Sequence, residues 1–302
     1  MPCLNGERHI RASIESVLTQ SFANFELIVV DNGSTDGTWG ILSSIEDKRV
    51  YVYSQPIRGV SRARNYGLGK AIGEYIAFLD CDDTWNQDFL EKMYAALNNN
   101  KEAVLAYCGW HNIGIEGPRG QPFIPPLYET PIKSQVLLEG CRWPIHGCIT
   151  KRSAIAKAGG FNTQLTIAED YLLWMEVSNM GEIILVPEVL AQYHHHEGVQ
   201  VTRNRSLFSL DTLKAKLIFL KRHPELLHKI GHERVNALTW GKLIKEGDSL
   251  HWQGDINSAR SVYRKALFSG HATPASILRM LPCLLPFAIH RLILIIKYRI
   301  DL

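Results

Sequence analysis

The fold of this 302-residue chain is decided by residues 75–83, YIAFLDCDD, in which a short apolar run ends at a cluster of aspartates. Residues 25–31, FELIVVD, form a second apolar run that also ends at an aspartate, and the glycine-rich turn GSTDG follows one residue later. Short apolar runs bounded by turn residues predict buried strands. Both predicted strands end in carboxylates, and an open α/β sheet binds its ligands at the carboxyl ends of its strands.

Helical patterns alternate with strand patterns over the first two-thirds of the chain. Helices are predicted at residues 7–19, 61–71, 88–98, 151–158 and 170–180, and further extended segments at 50–53, 103–108 and 183–195. This alternation indicates an α/β fold with a mostly parallel, covered sheet. Asn5 is expected to cap the first helix. Residues 114–131, rich in proline and glycine, are predicted to form a long loop of the kind that often acts as a lid.

Composition limits the class of protein. Charged residues make up 21% of the chain and the formal net charge is +3, which argues against a dedicated nucleic-acid binder. Six cysteines without a CxxC pair, and no signal-peptide pattern, predict a reduced, cytoplasmic chain. Cys141, His146 and Cys148 do not have a usual zinc spacing, so buried thiols are predicted there.

After about residue 205 the pattern is almost entirely helical. Residues 233–269 predict a helical hairpin that turns at Gly254, similar to one tetratricopeptide unit but without a second copy. Residues 274–302 are the most apolar, yet prolines and arginines interrupt them, so a membrane-spanning helix is not expected. Two alternatives stay open for this tail: a helix in the membrane interface, or a helix packed on the protein's own core.

The acids at the strand ends have a functional and an ordinary interpretation. Asp80 and Asp82 favour a divalent cation that holds a diphosphate, because Mg²⁺ and Mn²⁺ take oxygen ligands and bridge to phosphates. The simplest role of Asp83 is to cap the next helix. Asp31 offers an acceptor to ribose hydroxyls or base N–H groups, or else hydrogen-bonds only its own turn.

Three further groups have the same two interpretations. Glu169 and Asp170 begin a predicted helix, whose positive end favours an ionised carboxylate able to act as a general base, although acids are common there for dipole reasons alone. The arginines Arg58, Arg62 and Arg64 face either phosphates or solvent. Three consecutive histidines at 194–196 place at most two rings on one face of an extended segment and are otherwise surface residues.

In their order along the chain, four segments resemble the family 2 glycosyltransferases: residues 5–38, 59–83, 159–177 and 186–202. The resemblance implies the GT-A fold, with a nucleotide-binding half at 1–100 and an acceptor-binding half at 101–205. A helical region is expected at 206–302. Family members normally open with an apolar strand before the Asn-Gly motif, whereas this chain opens at Met1-Pro2-Cys3. That strand is therefore expected to be missing, with a loss of stability and donor affinity.

The resemblance implies contacts to a nucleotide-sugar donor. Asp31 matches the acid that hydrogen-bonds the nucleobase, and Arg64 matches a nucleotide contact. Asp80 matches the first acid of the Asp-x-Asp motif, which contacts ribose or the donor sugar, and Asn5 belongs to the same donor-binding set. Uridine is the family's usual base, so a UDP-sugar is expected.

The resemblance also implies the metal and the chemistry. Asp82 and His196 match positions that hold Mn²⁺ or Mg²⁺, and Asp170 matches the catalytic base of an inverting transfer. The Gln-x-x-Arg-Trp motif of processive synthases is absent from the sequence, so transfer of a single hexosyl or N-acetylhexosaminyl unit is expected.

The expected acceptor is a polysaccharide or a lipid-linked glycan. The apolar tail, with Arg291, Lys297 and Arg299 beside anionic head groups, is expected to hold the enzyme at the inner face of the plasma membrane. Two other classes stay open. A sugar-1-phosphate nucleotidyltransferase would release pyrophosphate from a nucleoside triphosphate. A non-catalytic scaffold would fold normally but bind no nucleoside diphosphate.

Overall fold

The computed structural model describes residues 1–196 and 204–290, and the chain divides into two compact units, residues 1–199 and 200–302. The first unit has the α/β architecture expected from the alternating pattern. The described part of the second unit is helical.

Two sheets form the centre of the first unit. A parallel sheet has the order β1-β2-β3 and contains β1 (Pro2–Cys3), β2 (Leu27–Asp31) and β3 (Val50–Ser54). A second sheet has the order β4-β7-β6-β8-β5 and contains β4 (Tyr75–Ala77), β5 (Thr84–Trp85), β6 (Ala103–Ile113), β7 (Cys148–Lys151) and β8 (Glu182–His194). Only β6 and β8 run parallel in the second sheet, so parallel pairing is concentrated in the first.

Seven helices accompany these strands in the described part of the first unit. They are α1 (Ile10–Leu18), α2 (Thr38–Ser43), α3 (Val60–Lys70), α4 (Phe89–Asn98), α5 (Lys133–Glu139), α6 (Arg152–Ala158) and α7 (Glu169–Ser178). The apolar face of α1, formed by Ile10, Ile14 and Val17, is at most 4% exposed. Residues three and four apart lie on one face of a helix, so this spacing directs all three side chains into the core.

The start of the chain differs from expectation in two ways. Pro2–Cys3 forms a short strand paired with Val30 and Asp31, so the first strand is present over two residues. Asn5 does not cap α1, which begins at Ile10 after His9. The Asn5 backbone is left-handed, with φ of 53°, and its side chain turns to the loop after β2 instead.

A cavity of about 620 Å³ lies beside the short first strand. Residues of β1, β2, α3 and β4 line it, among them Met1, Ile28, Gly67 and Ile76. The Met1 ammonium group donates a hydrogen bond to the Ile28 carbonyl at 2.8 Å, and burial lowers its pKa to about 6. Apolar strand edges thus face space that no described side chain fills.

The second unit contains six α-helices within residues 204–290. They are α8 (Arg205–Arg222), α9 (Glu225–Ile230), α10 (His232–Asn236), α11 (Lys242–Trp252), α12 (Ile256–Leu267) and α13 (Pro274–Met280). The predicted hairpin is confirmed: α11 and α12 meet at Gly254, whose φ is 80°, and Asp255 caps α12 by accepting from Ser258 N–H. A Cβ on Gly247 would lie 2.8 Å from the Tyr263 ring, so glycine allows the close approach of these two helices.

The described part of the apolar tail has two different sides. Met280 and Cys283 are fully buried in the core of the second unit, so this part of the tail packs on its own unit. Leu278 is 73% exposed and Phe287 43% exposed. Residues 291–302 lie outside the described residues, and none of the described helices is long and apolar enough to cross a membrane.

Candidate active site

The acidic loop after β4 meets the end of β8. Oδ2 of Asp82 lies 3.0 Å from Nε2 of His196, although the two residues are 114 positions apart. The His196 ring also stacks on His9, with centroids 4.7 Å apart. Burial and the nearby Asp83 and Asp80 raise the pKa of Asp82 above its ordinary value. Crowded carboxylates of this kind are stabilised by a cation.

Arg64 joins the same acidic loop to the start of α7. Its Nη2 lies 2.7 Å from Asp80 Oδ1 and its Nη1 lies 2.6 Å from Glu169 Oε1. Its side chain is only 4% exposed, and the guanidinium lies 5.3 Å from the centre of the Phe161 ring. Burial alone would lower the pKa of Arg64, but Asp80 and Glu169 outweigh it and keep the pKa above its ordinary value. The structure therefore shows Arg64 as a bridge between two carboxylates.

Glu169 and Asp170 form an acid pair beneath this bridge. Burial, with Asp170 as the second cause, raises the pKa of Glu169 to about 7, while Arg64 opposes the rise. Burial also raises the pKa of Asp170, again against the effect of Arg64. The expected stabilisation of ionised Asp170 by the helix end is thus outweighed, and the carboxylate is a stronger base than a solvated aspartate.

The backbone before α7 is strained. Ala168 has a φ of 65°, a left-handed conformation that disfavours residues with a side chain. In the described part of the chain, the non-glycine residues with positive φ are Ala168 and Asn5. Asn5 is itself a predicted site residue, and Ala168 precedes the predicted pair Glu169 and Asp170. Strained backbone of this kind often accompanies functional sites.

The loops after β1 and β2 are joined by side-chain hydrogen bonds. Asn5 Oδ1 accepts from Thr35 N–H at 2.8 Å, and Asn5 N–H donates to Ser34 Oγ at 2.9 Å. Asp31 is 5% exposed and accepts from Ser34 N–H at 3.3 Å. The ordinary turn role of Asp31 is therefore present, and it leaves acceptor capacity on the carboxylate.

Strand β1, which pairs with β2, contacts the acidic loop through two thiols. Cys3 lies opposite Asp31 in the register of β1 and β2. A hydrogen bond with Cys3, together with burial, raises the pKa of the Cys81 thiol well above its ordinary value. Because Cys81 lies between Asp80 and Asp82, this thiol contact places the acidic loop beside β1, while Arg64 joins the same loop to the start of α7.

The residues present fit a divalent cation only in part. Within residues 1–196 and 204–290, no group of three or more His, Cys, Asp or Glu side chains is arranged to hold a metal. Asp82 and His196 supply two donors in contact with each other. Mg²⁺ and Mn²⁺ usually complete their shells with substrate phosphates and water, so two protein ligands are compatible with such a site.

Other predicted residues have different positions. Arg58 and Arg62 are exposed, and Arg58 Nη2 donates to the Gly33 carbonyl at 3.4 Å. Cys148 is buried as expected. Cys141 is exposed as a residue, but its Sγ donates to the Trp143 carbonyl at 3.3 Å and burial raises the pKa of the thiol, so the thiol group itself is covered.

The structure also shows two residues whose importance the sequence did not reveal. Asp83 does not cap a helix, because the next helix, α4, begins at Phe89; Asp83 is instead buried with its carboxylate 2.9 Å from the His146 ring. Burial would lower the pKa of His146, but Asp83 outweighs that effect and raises it.

In an α/β domain, acids clustered after the strands mark the edge at which ligands of such folds bind. The profile of glycosyl transferase family 2 matches residues 1–158 of this chain. An uncharacterized glycosyltransferase of Haemophilus influenzae is 47% identical over 228 residues, which are 74% of this chain and 86% of that protein. The chain belongs to glycosyl transferase family 2, and it has the GT-A fold.

Two further comparisons are informative. The chain is 34% identical to the Escherichia coli UDP-Glc:alpha-D-GlcNAc-diphosphoundecaprenol beta-1,3-glucosyltransferase WfgD over 178 residues, 59% of this chain and 67% of that protein. The mannosyltransferase PcManGT of Pyrobaculum calidifontis, solved with GDP-Man and Mn²⁺, has a TM-score of 0.59 at 18% identity, covering 96% of this chain and 80% of that one. Four Rickettsia and Haemophilus glycosyltransferases match at 29% to 33% identity, and the chain spans 35% to 68% of their length.

Proposed function

We propose that this glycosyltransferase moves a single hexosyl or N-acetylhexosaminyl unit from a UDP-sugar to a lipid-linked or polysaccharide acceptor, with inversion at the anomeric carbon. The single observation that carries the proposal is that the acidic loop of Asp80 and Asp82 meets His196 at the end of β8 and, through Arg64, the Glu169–Asp170 start of α7. WfgD, named as a transferase of glucose from UDP-Glc to a diphosphoundecaprenol-linked GlcNAc, supports the choice of donor and acceptor class.

Residues in the loops after the strands bind the nucleotide-sugar donor. Asp31 accepts hydrogen bonds from the base, assisted by the loop that Asn5 holds, and Asp80 accepts from the ribose or donor sugar. Arg64 keeps Asp80 in place through their 2.7 Å ion pair. The Arg64 guanidinium already forms ion pairs with two carboxylates, so it acts on the nucleotide through its positive charge and not through a direct hydrogen bond.

The leaving group is a nucleoside diphosphate. Asp82 and His196 would hold Mn²⁺ or Mg²⁺, and a bound cation supplies neutralisation of diphosphate charge. The cation bound to PcManGT supports the same requirement here.

Asp170 acts on the acceptor. It takes the proton from an acceptor hydroxyl while the hydroxyl oxygen forms a bond to the anomeric carbon. The bond from that carbon to the diphosphate oxygen breaks, and its electron pair leaves with the nucleoside diphosphate. One displacement on the opposite face inverts the configuration. The raised pKa of Asp170 favours proton acceptance near neutral pH.

The tail gives the enzyme a place at the cytoplasmic face of a membrane. Leu278 and Phe287 present apolar surface from the second unit. Such side chains are suited to the boundary between head groups and acyl chains. Because Met280 and Cys283 belong to the core, deleting the tail would also damage the fold, and surface substitutions are the sharper test. Leu278→Ser with Phe287→Ser should reduce sedimentation with anionic vesicles, and unchanged sedimentation would contradict the membrane role.

The test of the reaction is a panel of nucleotide-sugars incubated with Mn²⁺ or Mg²⁺, with release of nucleoside diphosphate as the measurement. Asp82→Asn and Asp170→Asn should abolish release, whereas Asp88→Asn, on the surface beside Lys92, should not change it. Pyrophosphate release from a nucleoside triphosphate would favour the nucleotidyltransferase instead. A folded protein that binds neither UDP nor Mn²⁺ would favour the scaffold.

A further inference from the structure

Asp83 is the most enclosed acid of the loop after β4, with 1% of its surface exposed. Its Oδ1 accepts a hydrogen bond from the backbone N–H of His194 at 2.9 Å, and its Oδ2 lies 2.9 Å from Nδ1 of His146. His146 is fully buried in the turn that precedes β7. One carboxylate therefore joins three segments that are distant in sequence.

His146 is itself held from two further directions. Its ring lies parallel to the ring of Tyr193, with an interplanar angle of 1° and centroids 5.5 Å apart. Its backbone carbonyl accepts a hydrogen bond from the Trp85 indole at 2.7 Å. Trp85 and Tyr193 belong to the paired strands β5 and β8, so the imidazole has a fixed position against which Asp83 is oriented.

Where the backbone pairing of β5 with β8 stops, Asp83 continues the contact between the two segments through its side chain. Backbone pairing ends at Thr84. The next connection is the hydrogen bond from His194 N–H to Asp83, and the one after it is the 3.0 Å contact between Asp82 and the His196 ring. Asp83 therefore makes the hydrogen bond that lies next to Asp82 and His196, the two side chains assigned to the metal.

We propose that Asp83, oriented by His146, is a positioning residue that holds Asp82 and His196 at the separation needed to bind a divalent cation on the donor diphosphate. The inference rests on the proposed function, since it concerns the same cation. Groups that orient metal ligands typically change metal affinity by about 10- to 100-fold when they are removed.

The test measures Mn²⁺ affinity in the presence of UDP by isothermal titration calorimetry. Asp83→Ala removes both contacts of the carboxylate and should weaken Mn²⁺ binding by roughly 10- to 100-fold. Asp83→Asn keeps an oxygen for His194 N–H but loses the charge beside His146, so a smaller loss is expected. UDP affinity without metal should stay unchanged in both variants, because the base and ribose are bound by other residues.

A matched control separates positioning from loss of stability. Asn86 donates to the Val189 carbonyl at 2.9 Å and accepts from the Gln192 amide at 3.0 Å, on the same strand pair. Asn86→Ala should lower Tm without changing Mn²⁺ affinity. If Asp83→Ala does not fold, Asp83→Asn decides the result.

Two outcomes overturn the inference in different ways. Wild-type protein that binds Mn²⁺ with UDP, and Asp83 variants that bind it equally tightly, would refute the positioning role and leave the proposed function standing. Wild-type protein that binds no Mn²⁺ with UDP would remove the proposed metal site and the inference together.

Discussion

Replacing Glu169 by glutamine should make the free energy of unfolding of the first unit fall less steeply as pH rises. In the wild-type protein, burial and Asp170 raise the pKa of Glu169 from 4.5 to about 7, despite the ion pair with Arg64. Glutamine keeps an oxygen that can accept a hydrogen bond from Arg64 but cannot ionise. The two proteins therefore differ in the proton equilibrium of the buried pair Glu169 and Asp170, in which Glu169 has lost its proton site.

The magnitude follows from the two pKa values. The interval from 4.5 to about 7 corresponds to about 3 kcal/mol. Because the folded pKa is raised, the folded state binds the proton more tightly than the unfolded state does. The stabilisation that comes from tighter proton binding by Glu169 in the folded state is fully present below the unfolded pKa. It is lost as pH rises through the folded pKa. Relative to the glutamine variant, wild-type stability should fall by about 1.4 kcal/mol per pH unit within that window.

The assay is urea unfolding of both proteins at a series of pH values from about 5 to 8, where most titrations elsewhere in the chain cancel in the comparison. Glu188→Gln is the control, because Glu188 is a half-exposed surface partner of Lys92 and should give no such slope. A wild-type-minus-variant difference that stays constant across this range would refute the reasoning, since Glu169 would then be ionised in the folded state throughout.

Three other perturbations test separate features. Arg64→Met leaves Asp80 and Glu169 without their buried counter-charge and should lower the free energy of unfolding by about 3–5 kcal/mol, measured in urea at neutral pH. Ala168→Gly relieves the left-handed strain before α7 and should raise the free energy of unfolding by about 1 kcal/mol, whereas Ala168→Val should lower it. An extension of four alternating valine and serine residues before Met1 should raise Tm over a Gly-Ser extension of equal length, because it can enter the 620 Å³ cavity and pair with β2.

Each of these expectations has a contradicting result. A loss below about 1 kcal/mol for Arg64→Met would place the bridge in the range of a surface ion pair. Equal stability of the glycine and valine variants at position 168 would show that its backbone is not strained. Equal Tm values for the two extensions would show that the cavity does not accept a strand.

Local sequence patterns determined most of the elements of this protein. The apolar runs before Asp31 and Asp80 predicted two strands, β2 and β4, each followed by an acidic loop, although the two strands lie in different sheets. The spacing of Ile10, Ile14 and Val17 predicted α1 and its buried face. These patterns are reliable because a strand or a helix must bury one face, and the period of apolar residues records which face that is.

The partners of the site residues were decided only by the tertiary structure. Arg64 was expected to meet phosphate or solvent, yet it binds Glu169, which is 105 positions away. Asp83 was expected to cap a helix, yet it pairs with His146, and this pairing depends on the sheet order that brings β7 and β8 beside the acidic loop. Periodicity states which face of an element is buried but not which element will cover it. Burial, which depends on that choice, is the first cause of the raised pKa values of Asp82, Glu169 and Asp170.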